Sequence, residues 1–138
     1  MSRARLVDYM KRNEYAFSVD DDGDITGMWD GRFYVFMLRD DDAMLQIRSR
    51  WQRASVVERL EPLLEACNMW NGSYIWPKSY VRVHDDGSIG VYTEHSNVLE
   101  AGVTDEQLED LIDCAIGTSG MFFDHLDERF PDPIKEAS

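Results

Sequence analysis

The stretch Asp20-Asp21-Asp22-Gly23-Asp24 places four carboxylates around one glycine. Hard cations such as calcium take oxygen ligands of this kind. An EF-hand loop needs oxygen ligands at its positions 1, 3 and 5, glycine at 6 and a bidentate glutamate at 12. With Gly23 at the glycine position, the loop would begin at Ser18 and close at Trp29. With Gly27 there, it would close at Phe33. Neither register supplies the closing acid, so no metal ligand is assigned.

A turn explains the same residues. A three-residue loop at Asp21-Asp22-Gly23 pairs Val19 with Ile25, Phe17 with Gly27 and Tyr15 with Trp29. That register collects the apolar residues on one face and puts Gly23 where such a loop needs positive φ. Asp85-Asp86-Gly87 repeats the pattern, pairing Val83 with Ile89 and Val81 with Val91. Tyr80 then lies opposite Tyr92, and Arg82 opposite Gly90, on the other face. Aspartate starts such turns by accepting local backbone bonds.

Other chemistry is sparse. His84, His95 and His125 have no second ligand at zinc spacing. No nucleophile elbow accompanies any serine. No glycine-rich phosphate loop or cofactor motif is present. Gly117-Thr118-Ser119-Gly120 has the outline of a nucleic-acid clamp, but its neighbours are acidic. No catalytic or cofactor-binding residue is assigned. The aromatic residues say more. Trp29, Trp70, Trp76 and Tyr80 belong either to the core or to a partner groove or dimer face, since Trp and Tyr anchor interfaces.

The bulk numbers bound the rest. A chain of 138 residues suits one domain over 1–138. At this size it buries roughly 65–70% of its unfolded surface, enough for a core without staples. The 27 acidic and 14 basic residues leave a net charge of −13. Such a field repels phosphate backbones and anionic lipid, and it favours a basic partner. Cys67 and Cys114 read as small hydrophobes in helices, not as a disulfide framework. The N-terminal MSRARLVDYM lacks the apolar run of a signal peptide, and no stretch reaches membrane-spanning length. These features predict a cytoplasmic protein.

Periodicity then places the elements. Residues 3–13 read as a helix, 15–19 and 25–29 as a hairpin, 32–38 as an apolar strand broken by Asp40-Asp41-Asp42. Residues 44–51 alternate, with Leu45, Ile47, Ser49 and Trp51 on one face and Gln46, Arg48 and Arg50 on the other. Ser55-Val56-Val57-Glu58 has capping-box spacing, and a main helix is expected from near Pro62 to Gly72. Its stripe is Leu63, Leu64, Cys67 and Trp70. Strands 79–84 and 88–94 follow. Thr104-Asp105-Glu106-Gln107 caps a last helix running to about Arg129, with a frayed tail over 131–138. Gly117 and Gly120 within it point to close backbone packing or to a break. The class is α+β.

Asn68-Met69-Trp70-Asn71 followed by Trp76-Pro77-Lys78-Ser79-Tyr80-Val81 resembles the N-x-W-N…W-P-[KR]-x-Y-V segment of YbjN-like domains. So does the acidic turn ahead of Trp29, and so do Gly102-Val103-Thr104, Phe122-Phe123 and Phe130-Pro131. The resemblance covers residues 4–131. It implies an α-β-β-β-α-β-β-α order similar to type III secretion chaperones, a role in sensory-transduction regulation, dimerisation and binding of extended partner segments. It implies no catalytic residue. The leading expectation is therefore a non-enzymatic regulatory or protein-binding domain, forming a homodimer, with Trp29, Trp70, Trp76 and Tyr80 in the core or at a binding face. The alternatives are a divalent-cation sensor using Asp20–Asp24 and Asp85–Asp86, and an enzyme with an unrecognised site.

Overall fold

A computed structural model describes residues 1–131. The tail expected beyond Pro131 lies outside the described residues. Helix α1 (Arg3–Arg12) leads into strands β1 (Ser18–Val19), β2 (Ile25–Trp29), β3 (Arg32–Arg39) and β4 (Met44–Arg50). A single 3-10 turn (Val57–Arg59) opens helix α2 (Leu60–Ser73). Strands β5 (Lys78–Val83) and β6 (Ile89–Val98) and helix α3 (Asp105–Arg129) complete the chain. The α+β class stands. The meander has four strands, as the periodicity has it and one more than the resemblance implied; the segment read at 15–19 pairs only at its end, as the short edge strand β1.

The strands make one antiparallel sheet in the order β1-β2-β3-β4-β6-β5. Both acidic turns are three-residue hairpin loops. Val19 faces Ile25, and Val83 faces Ile89, as the apolar pattern requires. Gly23 and Gly87 adopt φ of +82° and +83°. Asp20 Oδ1 accepts from the backbone N–H of Asp22 and of Asp24, so the first loop is bonded from within. Between β2 and β3 the turn is only Asp30-Gly31, both at positive φ, the two-residue geometry that matches strand twist.

All three helices pack on one face. Alternation sends Ile25, Tyr34, Phe36, Leu45 and Ile47 from the sheet against Leu6, Tyr9 and Met10 of α1 and Leu108, Ile112 and Ala115 of α3. A second cluster joins Trp51, Ile89 and Val91 to Leu63, Ala66, Cys67 and Trp70 of α2 and Phe122, Phe123 and Leu126 of α3. An ionic knot around buried Arg32 ties the two layers. Arg32 Nη2 donates to Asp124 at 3.0 Å and to Asp127 at 2.8 Å, and Asp127 also accepts from Trp51 Nε1 and Gln52 Nε2.

Three local expectations are corrected. Ser55 does not cap a helix. Its backbone N–H and C=O pair with Ile89, and its buried hydroxyl has no partner, so strand-like bridging has taken the residue away from the helix end. Leu64 is 48% exposed, and Ala66 takes its place in the buried stripe. The buried positions Leu63, Ala66, Cys67 and Trp70 recur at helical 3–4 spacing, and Leu64 falls beside that stripe. Gly117 and Gly120 neither break α3 nor admit another backbone: a Cβ at either would meet nothing within 4 Å. Thr104, by contrast, forms the full reciprocal capping box with Gln107.

Candidate functional site: the open face of the sheet

The sequence-selected aromatics do not come together. Trp29 is half-buried among Tyr15, Tyr34 and Phe36, with ring centroids 5.4–5.7 Å away, on the helix side of the sheet. Trp70 is buried between α2 and α3, stacked on Tyr74 and beside Phe122. Both are core residues. Trp76 is 47% exposed in the α2–β5 connection, next to Tyr74 and Ile75. Tyr80 alone lies on the face that carries no helix.

The segment carrying the family resemblance has a structural reason. Asn71 Nδ2 donates to the Ser79 carbonyl, and Asn71 Oδ1 accepts from the Ser79 N–H, each at 2.9 Å. The amide thus completes the outer edge of β5 as a neighbouring strand would. Trp70 Nε1 donates to the Trp76 carbonyl, fixing the loop between them. These residues hold α2 against the sheet edge.

The helix-free face is built by the other half of each strand's alternation. Outward positions place Phe33, Val35 and Met37 on β3, Gln46, Arg48 and Arg50 on β4, Tyr92 and Glu94 on β6, and Lys78, Tyr80 and Arg82 on β5. Tyr80 and Tyr92 stack face to face at 5.5 Å. Gly90 makes room for this. A Cβ there would lie 2.9 Å from the Tyr92 ring. Arg50 sits over Tyr92 at 5.7 Å. Phe33 is 48% exposed beside them. Together Phe33, Val35, Arg48, Ser49, Arg50 and Tyr92 line a depression of about 220 Å³.

Charge on this face runs against the whole. Among the described residues Glu94 is the only acidic residue in a strand, whereas Arg39, Arg48, Arg50, Lys78 and Arg82 all take outward positions. Glu94 is already engaged. It accepts from Gln46 at 2.9 Å, Arg48 at 3.1 Å and the Tyr80 hydroxyl. Burial, this bond and the Glu94 charge push the Tyr80 phenol up to about 12, so it remains a donor at neutral pH. Arg50 Nε is buried with no bonding partner. Among the described residues, no carboxylate pairs with Arg50, Lys78 or Arg82. Sequence reasoning had Arg48, Arg50, Tyr80 and Tyr92 on the polar side of their strands. It lacked the β4–β6 pairing that sets them side by side.

Two other places were candidates for chemistry. The carboxylates of Asp20, Asp22 and Asp24 lie within 4.8 Å of one another. Asp20 is spent on the turn, and the guanidinium of Arg3 lies against Gly23, where an added Cβ would collide with it. Desolvation and the neighbouring Asp20 raise the Asp24 carboxyl above the usual range. Asp85 and Asp86 join no such group among the described residues; Asp86 instead accepts from Ser88. His95, given no ligand partner by its spacing, is buried beside Trp76 at 5.4 Å. Its Nδ1 is 2.8 Å from the Asn97 amide and its Nε2 has no partner. Burial pulls its pKa down. No carboxylate or nucleophile is bonded to it among the described residues, so it lacks the partners of a catalytic base. No helix among the described residues is long and apolar enough to cross a membrane.

The family model YbjN, described as "Putative bacterial sensory transduction regulator", matches residues 2–128. Among solved structures, YbjN from E. coli superposes with a TM-score of 0.81 at 15% identity, covering 94% of this chain and 93% of that one. An uncharacterized protein from Methanothermobacter thermautotrophicus gives 0.58 at 9% identity, covering 94% and 99%. The HopA1–SchA chaperone–effector complex gives 0.47 at 13% identity, covering 86% and 97%. No curated protein matches. At these identities the first two structures show a shared fold.

Proposed function

The chain belongs to the YbjN family, and from that membership we propose that it is a regulatory, protein-binding domain whose contact surface is the open face of the sheet. The family is described by regulation, not by a reaction. One observation carries the choice of surface: among the described residues, an entire sheet face, with exposed Phe33 and the stacked Tyr80–Tyr92 pair, has no helix over it. Aromatic and arginine side chains around a shallow depression are the composition of an interface centre. The proposed setting is the cytoplasm.

The homodimer expected from the resemblance is proposed on a different surface. Two copies meeting about a two-fold axis through Arg50 would set like charges together. The α2–β5 connection instead exposes Tyr74, Ile75 and Trp76 in succession, with Ile75 at 82%.

The test is comparative capture from the host's cytosol by the wild type and by Phe33→Glu, with light scattering on what elutes. The proposal expects a stoichiometric protein partner that the wild type retains and Phe33→Glu loses, with the fold intact by circular dichroism. Equal retention by both forms removes the open face as the contact surface. An absence of any partner over several growth conditions removes the binding function itself.

A further inference from the structure

We infer that the open face takes an acidic segment of a partner protein, with an aromatic or aliphatic side chain seated against Phe33 and Tyr92 and carboxylates on Arg50 and Arg82. This rests on the reading that the open face is the contact surface. It reverses the basic partner that the net charge of −13 suggests.

Folding segregates the charge: among the described residues the acids lie in the helices and turns, and the strands hold only Glu94. Glu94 has three donors of its own and neutralises little beyond Arg48. Arg50 and Arg82 have no carboxylate partner among the described residues. An arginine that is half-buried, held 5.7 Å over a tyrosine ring and without a carboxylate partner among the described residues can offer its guanidinium to a planar anion. Arg50 lies opposite Tyr92 of β6 and Arg82 opposite Gly90, so the two arginines stand two strands apart and two residues out of step, about 12 Å at normal strand dimensions. Acids four residues apart in an extended peptide share one face and span about 13 Å, close to that separation.

A peptide fits better than a nucleic acid. The basic strip is short and its ends are acidic: Asp40, Asp41 and Asp42 follow β3, and Asp85 and Asp86 follow β5. A phosphodiester chain carries a charge at every residue, and running off the face it would meet those carboxylates. A peptide places acids only where the arginines are.

The experiment is an NMR titration of the full chain, following backbone amides and arginine side chains. The probes are the blocked peptides EEEFEEE, QQQFQQQ and KKKFKKK, and a seven-residue oligothymidylate. The expected result is perturbation of Phe33, Arg50, Tyr92 and Arg82 by EEEFEEE, weakened by added salt. Arg50→Gln should weaken that binding about fivefold, the upper size of a partly exposed ion pair. Arg12→Gln, on α1, should leave it unchanged. Equal or tighter binding of QQQFQQQ or KKKFKKK at the same residues overturns the acidic partner and leaves the face as a contact surface. Tighter binding of the oligothymidylate there reassigns the face to nucleic acid. No perturbation of the face by any probe counts against both.

Discussion

Gly90 shows how one missing side chain shapes the surface. It lies opposite Arg82, and a Cβ on it would come within 2.8 Å of His84 Nε2 and 2.9 Å of the Tyr92 ring. Gly27 does the same for Trp29, whose ring would be 2.6 Å from a Cβ. In both cases an aromatic two residues on lies across the glycine. Gly90→Ala should therefore push Tyr92 off the sheet. The expected cost is about 1–3 kcal/mol, the range for overpacking, read by urea denaturation. Loss of the upfield-shifted Tyr80 and Tyr92 ring signals would accompany it. An unchanged midpoint with unchanged ring shifts would mean that the aromatic pair does not depend on the glycine.

At the scale of elements, the two sequence-level capping boxes separate cleanly. Thr104 donates its geometry to α3: its hydroxyl accepts from the Gln107 N–H at 3.0 Å, and Gln107 Oε1 accepts from the Thr104 N–H at 2.9 Å. Ser55 has the same spacing to Glu58 but is committed to a bridge with Ile89. Thr104→Ala should cost about 1 kcal/mol, whereas Ser55→Ala should lie within about 0.5 kcal/mol of the wild type, having no bond to lose. Thermal melts of the two variants decide it, and equal costs would restore Ser55 as a cap. The Arg32 knot belongs to this scale too. Its guanidinium joins β3 to the end of α3 through Asp124 and Asp127, with the Phe123 ring 5.5 Å away. Arg32→Ala should destabilise by about 3 kcal/mol, because Asp127 is left partly buried without its main cation. A cost near zero would show that Trp51 and Gln52 suffice as donors.

For the molecule as a whole, pH is the simplest probe of burial. His95 is held below its usual pKa by desolvation alone. The unfolded chain takes up that proton near pH 6.5, while the folded chain resists it. His95 therefore contributes stability that is present above about pH 6.5 and is lost as pH falls through the lower folded value. Melting temperature should drop between pH 7.5 and 5.5, and His95→Gln should flatten the drop. A pH-independent wild type over this window would contradict the burial of the ring. Asp24 acts with the opposite sign, since a raised carboxyl is relieved by acid. Its relief comes as pH falls through the raised carboxyl value.

Both acidic hairpins, their registers and the ends of α1 and α3 were legible in the residues alone. Those features are local: a glycine at positive φ, alternation of period two and a reciprocal cap act within a few positions. The α+β class follows from the same signals. The tertiary structure alone decided which tryptophans are core. Periodicity put Trp70 on the helix's apolar stripe and Trp29 on the apolar face of its hairpin, but whether those faces meet the core or a partner depends on where α1, α2 and α3 settle. It also decided the fate of Ser55, because its partner Ile89 is 34 residues away. The open face is the clearest case. Alternation marked Arg48, Arg50, Tyr80 and Tyr92 as outward, but only the pairing of β4 with β6 brings them into one surface. Net charge is a sum over the chain, and it does not report how folding sorts acids to helices and turns and arginines to one sheet face.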